Sequence, residues 1–342
     1  MESSVSSSSL AASSIFNRVT RLEKLSPDIS FMIKDAESYF MAWAFSRAVE
    51  KIAKAGKEIY PLPMFVNSVP SEMGFARKAG DYPSGAPVPE TRRIWSHFAP
   101  SIDLYGPDIY SPNYREITDN YAAKGAVIIP EVSSDKNCVS KALFTVAAYN
   151  TLLFSPFGVE ELFAPIPEND SLASTNLDMG FPSPEGAEAL AEGYQILEVL
   201  WPQIRKAQKE KRIYAFLDQG DMGAEFVLDG YTITVVYNGL NYVPGKPPMF
   251  GNMPRKENAP LGGGFIIRTG EDEFLVCAIC CNVIIQPEYG SREQIFALDK
   301  RELKPGADGL KNGRILNGDE RNYFAFGSKP GVQTIRFYSR NH

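Results

Sequence analysis

Residues 103–160 read DLYGPDIYSPNYREITDNYAAKGAVIIPEVSSDKNCVSKALFTVAAYNTLLFSPFGVE. Three short apolar runs, DLYGPDIYS, AVIIPEVS and LLFSPFGVE, alternate with the amphipathic segments NYREITDNYAAKG and KALFTVAAYNT. Short apolar runs bounded by turn residues and separated by helical periodicity describe buried strands joined by helices, which build a parallel sheet. The pattern continues outward. DAESYFMAWAFSRAVEKIAKAG (35–56) predicts a helix capped by Asp35, apolar at Met41, Phe45, Ala48, Val49 and Ile52, and stopped at Gly56. IYPLPMFVNS (59–68) reads as a strand, 69–89 as a long Pro/Gly-rich loop, ETRRIWSHFAPSI (90–102) as a helix, and 182–208 as a long helix opening after prolines. The four strands end on polar residues: Asn67, then Asp108 and Tyr110, then Glu131, then Glu160. In a (β/α)8 barrel the chemistry sits at these C-terminal strand ends, but a complete barrel needs eight strands and about 250 residues. The expectation is therefore half a barrel over residues 31–207.

After residue 208 the period changes. YAFLDQGDMGAEFVLDGYTITVVYN, GGGFIIRTGEDEFLVCAICCNVII and VQTIRFYSR alternate in period two, broken by Gly, Asp and Pro, which predicts an antiparallel β-sandwich over 208–342. At the other end, eight of the first 14 residues are serine. Such a stretch buries too little apolar surface to offset its ordering entropy, so residues 1–30 are expected to be a disordered leader. It lacks the basic start and apolar core of a signal peptide, and a cytoplasmic location is the default expectation. No apolar run approaches 18 residues, so no spanning helix and no membrane partner are expected.

The charge balance, 35 − 41 = −6, with both signs mixed along the chain, argues against a nucleic-acid surface. Two histidines, His97 and His342, are too few for multi-histidine metal sites, and acid–base chemistry falls to carboxylates. Cys277, Cys280 and Cys281 lie in an alternating apolar run and read as small hydrophobes rather than a metal site. Gly262, Gly263 and Gly264 precede a strand and are expected in a turn, as are Asn317 to Asp319, while Gly270 to Glu273 suits a hairpin loop. Trp43, Trp95 and Trp201 fall on helices and are expected in the core.

Glu131 is the sharpest feature. Four apolar residues and a proline deliver a carboxylate to a strand end, where an ionised group needs partners. It can be a catalytic nucleophile, as in retaining glycosidases, or a salt-bridged strand-end glutamate. Around it, Asn67, Asp108, Tyr110, Phe154 and Phe157 offer the hydrogen bonds and flat apolar faces that suit a pyranose.

These segments also carry a likeness. YFMAWAFSRAVEKIAKAGKEIYPLPMFVNS, GDYPSGAPVPETRRIWSHFAPSIDLYGPDIYSPNY, VIIPEVS and YNTLLFSPFGVEEL resemble, in that order, the family 35 glycoside hydrolases, in their bacterial and fungal β-galactosidase branch. APLGGGFIIRTGEDEFLVCA and GRILNGDE resemble the small β domain that follows the barrel there. The resemblance implies that the four strands are barrel strands five to eight, that Glu131 is the nucleophile ending the seventh, and that Asn67, Tyr110 and Glu160 line a galactose subsite. The implied ligand is a β-galactoside, handled without metal or cofactor, because two carboxyl groups suffice for retaining hydrolysis.

One element of the pattern is missing. The family's acid/base glutamate follows an asparagine at the end of the fourth strand, and no Asn-Glu dipeptide occurs here. Retaining chemistry needs two carboxyl groups about 5–5.5 Å apart, so this chain alone is expected to hydrolyse glycosides poorly. A half barrel also leaves open strand edges, which calls for a complementing N-terminal half or self-association. The rival expectations are a non-catalytic carbohydrate-binding protein derived from a glycosidase, and a structural remnant without a ligand.

Overall fold

The first helix, α1 (Ala36–Ile59), runs one turn past the stop expected at Gly56, because a single glycine costs a helix only about 1 kcal/mol. It ends instead before Pro61, which cannot continue the ladder. The computed structural model describes residues 36–71, 84–122, 126–159, 184–221, 223–228, 230–237, 260–288, 295–306, 309–321 and 323–339. The serine-rich leader, the Asp35 cap, most of the 69–89 loop, Glu160 and His342 lie outside them. The chain forms two compact units, one ending at Asp108 and one beginning at Ile109.

In the first unit α1 is followed by β1 (Phe65–Ser68), α2 (Arg92–Phe98) and β2 (Leu104–Ile109), whose last residue opens the second unit. β1 and β2 pair in parallel, with Asn67 opposite Gly106. Ala42, Trp95 and Ala99 form the core, with Val49, Val66 and Tyr105 packed against them. The Trp95 indole N–H donates to the Gly85 carbonyl at 2.9 Å, which satisfies its one polar group. Carboxylates fasten the loops. Glu50 accepts from the Ser101 backbone N–H and hydroxyl at 2.9 Å each. Asp103 accepts from Lys57 at 2.5 Å and from the Met64 N–H at 2.7 Å. The bond from Lys57, and then that from Met64, holds the Asp103 carboxyl below its ordinary range.

The second unit opens with α3 (Tyr114–Tyr121), β3 (Ala126–Val132), α4 (Cys138–Ala148), β4 (Asn150–Pro156) and α5 (Pro184–Lys209). β3 and β4 are parallel, with Val127 opposite Thr151 and Ile128 opposite Leu153, so β4 carries one extra residue. Helix α4 is buried from Cys138 to Ala147 on every face. It packs on β4, α5, β5 and β8 at once, so it is mostly apolar and its buried Ser140, Lys141 and Thr145 are all hydrogen-bonded. α4 thus packs on strands from both sides of the change of period near residue 208.

Ten antiparallel strands follow: β5 (Ile213–Leu217), β6 (Gly223–Leu228), β7 (Tyr231–Tyr237), β8 (Gly263–Arg268), β9 (Glu273–Ile279), β10 (Cys281–Pro287), β11 (Ile295–Gly306), β12 (Gly309–Ile315), β13 (Phe324–Phe326) and β14 (Gly331–Ser339). One sheet has the order β13-β10-β7-β6 and the other β12-β11-β14-β9-β8-β5. Their inward residues share one core. Tyr231, Ile233, Val235 and Val283 from the first meet Ile266, Phe274, Val276 and Phe337 from the second. The Tyr231 ring lies 4.9 Å from Phe274 and 5.4 Å from Phe337. The chain passes between the sheets at Cys280, whose φ of 52° makes a one-residue corner and whose N–H donates to Gly327 at 2.9 Å. The coarse division into parallel strands with helices and then antiparallel strands is as the sequence led us to expect.

Several details differ. Gly263 and Gly264 are not in a turn; they lie inside β8. A Cβ on Gly264 would stand 2.2 Å from the Cys277 carbonyl oxygen, and one on Gly263 would stand 2.9 Å from the Ser140 Cβ. These glycines permit close backbone approach, to β9 and to α4. Trp95 is buried, but Trp201 is 41% exposed on α5, with the Arg205 guanidinium 5.4 Å from its ring. Asn317 precedes a short 3₁₀ helix, Gly318–Arg321, rather than a simple turn. The 269–272 loop is a hairpin connection, and its Asp272 accepts from the Tyr231 hydroxyl at 2.7 Å. All four cysteines are free and buried, and burial pushes the Cys138 thiol up to about 12.

Lys300 on β11 is buried to 1%. Its ammonium donates to the Glu320 carbonyl at 2.6 Å and to that of Tyr323, and sits 4.1 Å above the Phe324 ring. One lysine thereby ties Glu320 and Tyr323 to the larger sheet. We expect Lys300→Met, which keeps the stem and removes the donors, to lower the unfolding free energy in urea by about 2–3 kcal/mol, since it strands two carbonyls. Lys311→Met, on the exposed strand β12, should change it by less than about 0.5 kcal/mol.

Candidate functional site

Glu131 occupies the next-to-last position of β3, between half-buried Pro130 and buried Val132. Val127 to Ile129 anchor the strand, being at most 3% exposed. Parallel pairing fixes the exit direction: the Val132 carbonyl accepts from the Phe157 N–H at 2.9 Å, and the Ser133 N–H donates to the Ile109 carbonyl at 3.2 Å. The Glu131 carboxylate is held by Tyr110, whose hydroxyl donates to Oε1 at 2.5 Å. This is the length of a charge-assisted O–H···O⁻ bond. The Phe157 ring, 49% exposed, stands edge-on to Tyr110 at 6.4 Å and 71°. The second unit thus brings three of the expected residues, Tyr110, Glu131 and Phe157, to one place. Phe154, on β4, is half-buried.

In the first unit, Asn67 Nδ2 donates to Asp108 Oδ1 at 3.0 Å, so these two expected residues meet at the C-terminal ends of β1 and β2. A carboxamide locked on a carboxylate in this way presents a fixed set of donors and acceptors. The sixth expected residue, Glu160, lies outside the described residues.

The sequence reading missed what supports Glu131. Two residues beyond it, the Ser133 hydroxyl receives the Lys141 ammonium at 2.7 Å and donates to Asp135 at 3.1 Å. Lys141 lies 3.6 Å from the Asp135 carboxylate, the pair being 7% and 13% exposed, and 5.7 Å from the centre of the Tyr114 ring. Asp135 also accepts from the Asn137 N–H at 2.8 Å, and Asn137 Oδ1 accepts from the Leu261 N–H at 2.8 Å. The network ties the loop after β3 to α4 and to the strand entering the larger sheet. A signal was present: one lysine inside the apolar run CVSKALFTVAA, which only a buried partner makes tolerable.

Chemically, the arrangement around Glu131 offers one oriented carboxylate beside two aromatic rings. Among the described residues no group of three or more His, Cys, Asp or Glu is placed to hold a metal ion, and no helix is long and apolar enough to cross a membrane.

Removing the ammonium from the Lys141 network leaves Asp135 buried without its cation. Lys141→Ala should lower stability by about 3–5 kcal/mol, measured by urea unfolding, and Lys136→Ala, its less buried neighbour, by under about 1 kcal/mol.

Residues 190–327 match the model of a family described as a domain of unknown function (DUF5597). A search of curated proteins finds no match to the chain. The matched segment runs from Leu190, within α5, to Gly327, just after β13. It contains β5 to β13 but not β14, and lies wholly C-terminal to Glu131.

Proposed function

We propose that the chain is a glycoside hydrolase-type protein that acts on, or descends from proteins acting on, β-galactosides, with Glu131 as the nucleophile of a retaining double displacement. The observation that carries this reading is the Tyr110–Glu131 hydrogen bond at the end of a parallel strand. One carboxylate oxygen is held by the phenol, which fixes the plane of the group and leaves the other oxygen as the attacking atom. In the first step that oxygen bonds to the anomeric carbon while the bond to the leaving oxygen breaks, and the leaving oxygen takes its proton from a second carboxylic acid. Phe157 and Tyr110 supply the apolar faces that sugar recognition uses.

The second acid is the missing part. The family's Asn-Glu pair does not occur in this sequence, so in this reading β1 to β4 correspond to strands five to eight of a barrel, followed by a β-sandwich domain. The acid/base then comes from a complementing barrel half or from a partner copy. Glu131 alone would give little turnover of ordinary glycosides. A carbohydrate-binding protein without turnover is the second reading, and the single identifiable carboxylate favours it wherever no partner supplies the other.

An activated inactivator separates the two, because its leaving group departs without protonation and so bypasses the absent acid. Incubation with 2-deoxy-2-fluoro-β-galactosyl fluoride, followed by intact mass measurement and peptide mapping, should place one fluorogalactosyl group on Glu131 and none on Glu131→Gln. No adduct, or one on another residue, removes the nucleophile role. Quenching of tryptophan fluorescence by galactose without any adduct supports the binding reading.

A further inference from the structure

A second concave site lies in the second unit, built from other elements than those holding Glu131. It is a cleft of about 1090 Å³ at the N-terminal end of β4, near Asn150, whereas Glu131 lies near the C-terminal end of β3. Its walls come from α3, the end of α4, the last turn of α5, and β5 with β6. The volume matches small-molecule sites rather than a protein-sized groove.

The lining is charged in one sense. Arg115, Arg205, Lys209 and Lys211 face a single lining carboxylate, Asp119. That carboxylate is already engaged, accepting from the Tyr149 hydroxyl at 2.6 Å. Among the described residues Arg115, Lys209 and Lys211 make no salt bridge, although the chain as a whole carries −6. Arg205 is fixed in place: one guanidinium nitrogen donates to Asn150 Oδ1 at 2.5 Å and to Gln208 Oε1 at 3.0 Å. Gln208 in turn donates to the carbonyls of Val146, Ala147 and Tyr149 at 2.8–3.1 Å, capping α4. An arginine held in this way presents its remaining N–H groups in a set direction, which suits a carboxylate. Beside these cations, Tyr214 and Phe226 line the cleft as a stacked pair, with ring centres 5.5 Å apart and planes at 23°.

We propose that this cleft binds an acidic oligosaccharide, its carboxylates taken by Arg205, Arg115 and the two lysines and its ring faces by Tyr214 and Phe226. Cations contributed by separate elements suit an anion repeated along a chain of rings. The aromatic pair suits pyranose faces, which a simple inorganic anion does not need. The site does not involve Glu131 and stands or falls independently of the nucleophile assignment.

Calorimetric titration of the full chain with a galacturonic acid trisaccharide tests this, with maltotriose, neutral and not a galactoside, as the counterpart. The acidic sugar should bind and the neutral one should not, and binding should weaken steeply as salt shortens the screening length. The double variant Arg115→Gln/Lys209→Gln, both exposed positions, should weaken binding by about tenfold or more at an unchanged melting temperature. Glu131→Gln should bind like the parent. The proposal is overturned if the acidic sugar gives no binding, if the neutral sugar binds equally, if the double variant binds like the parent, or if Glu131→Gln abolishes binding, which would place the sugar at the other site.

Discussion

The Lys141 ammonium, buried against Ser133 and Asp135, is the interaction on which the second unit turns. It sits on a helix, α4, that packs on β4 and also on β5 and β8. From that helix it reaches the loop two residues beyond Glu131, while Ser140 beside it donates to the Leu261 carbonyl at 2.6 Å, where the chain enters the larger sheet. A buried ion pair contributes little net stability, yet breaking one is costly. Its effect is to join α4 to the loop that leaves the end of β3. Tyr114, held by Thr145 at 2.7 Å under the same ammonium, extends this order to α3 and so to the chain that follows Tyr110.

Most of the architecture is legible from local pattern. AVIIPEVS reads as a buried strand because it is an unbroken apolar run with no helical period, and VQTIRFYS as an antiparallel one because it alternates; both lie where they were expected, as β3 and β14. Glycines were harder to read. GGG before an apolar run carries the signature of a turn, but the reason for Gly264 is the Cys277 carbonyl across the ladder, a contact that exists only after β8 and β9 have paired. Trp201 was misjudged for the converse reason: periodicity places it on a helix but does not say which face meets a neighbour.

The candidate site was legible to the same degree. Glu131 stands out because a carboxylate after four apolar residues and a proline conflicts with its surroundings, and such conflicts mark function or strain. Tyr110 is 21 residues away in sequence, yet its hydroxyl meets that carboxylate. The supporting network and the basic cleft were not legible, because each gathers residues from several elements far apart in sequence. RKAQKEKR (205–212) reads only as a basic helix end. It gains meaning when Arg115 and the Tyr214–Phe226 pair are brought beside it. The match to a domain of unknown function covers β5 to β13 and not the strand that carries Glu131, so the chemistry must be judged on the site's own geometry.

The central claim is that the Glu131 carboxylate, oriented by Tyr110, faces the anomeric carbon of a bound galactoside. A crystal structure of Glu131→Gln soaked with a β-galactoside tests it most directly. The expected result is a pyranose ring over Phe157 with its anomeric carbon within about 3.5 Å of the residue-131 side chain, the distance of a near-attack arrangement. A sugar bound elsewhere with the Tyr110 side empty, or a ring turned so that its anomeric carbon points away from residue 131, would contradict it.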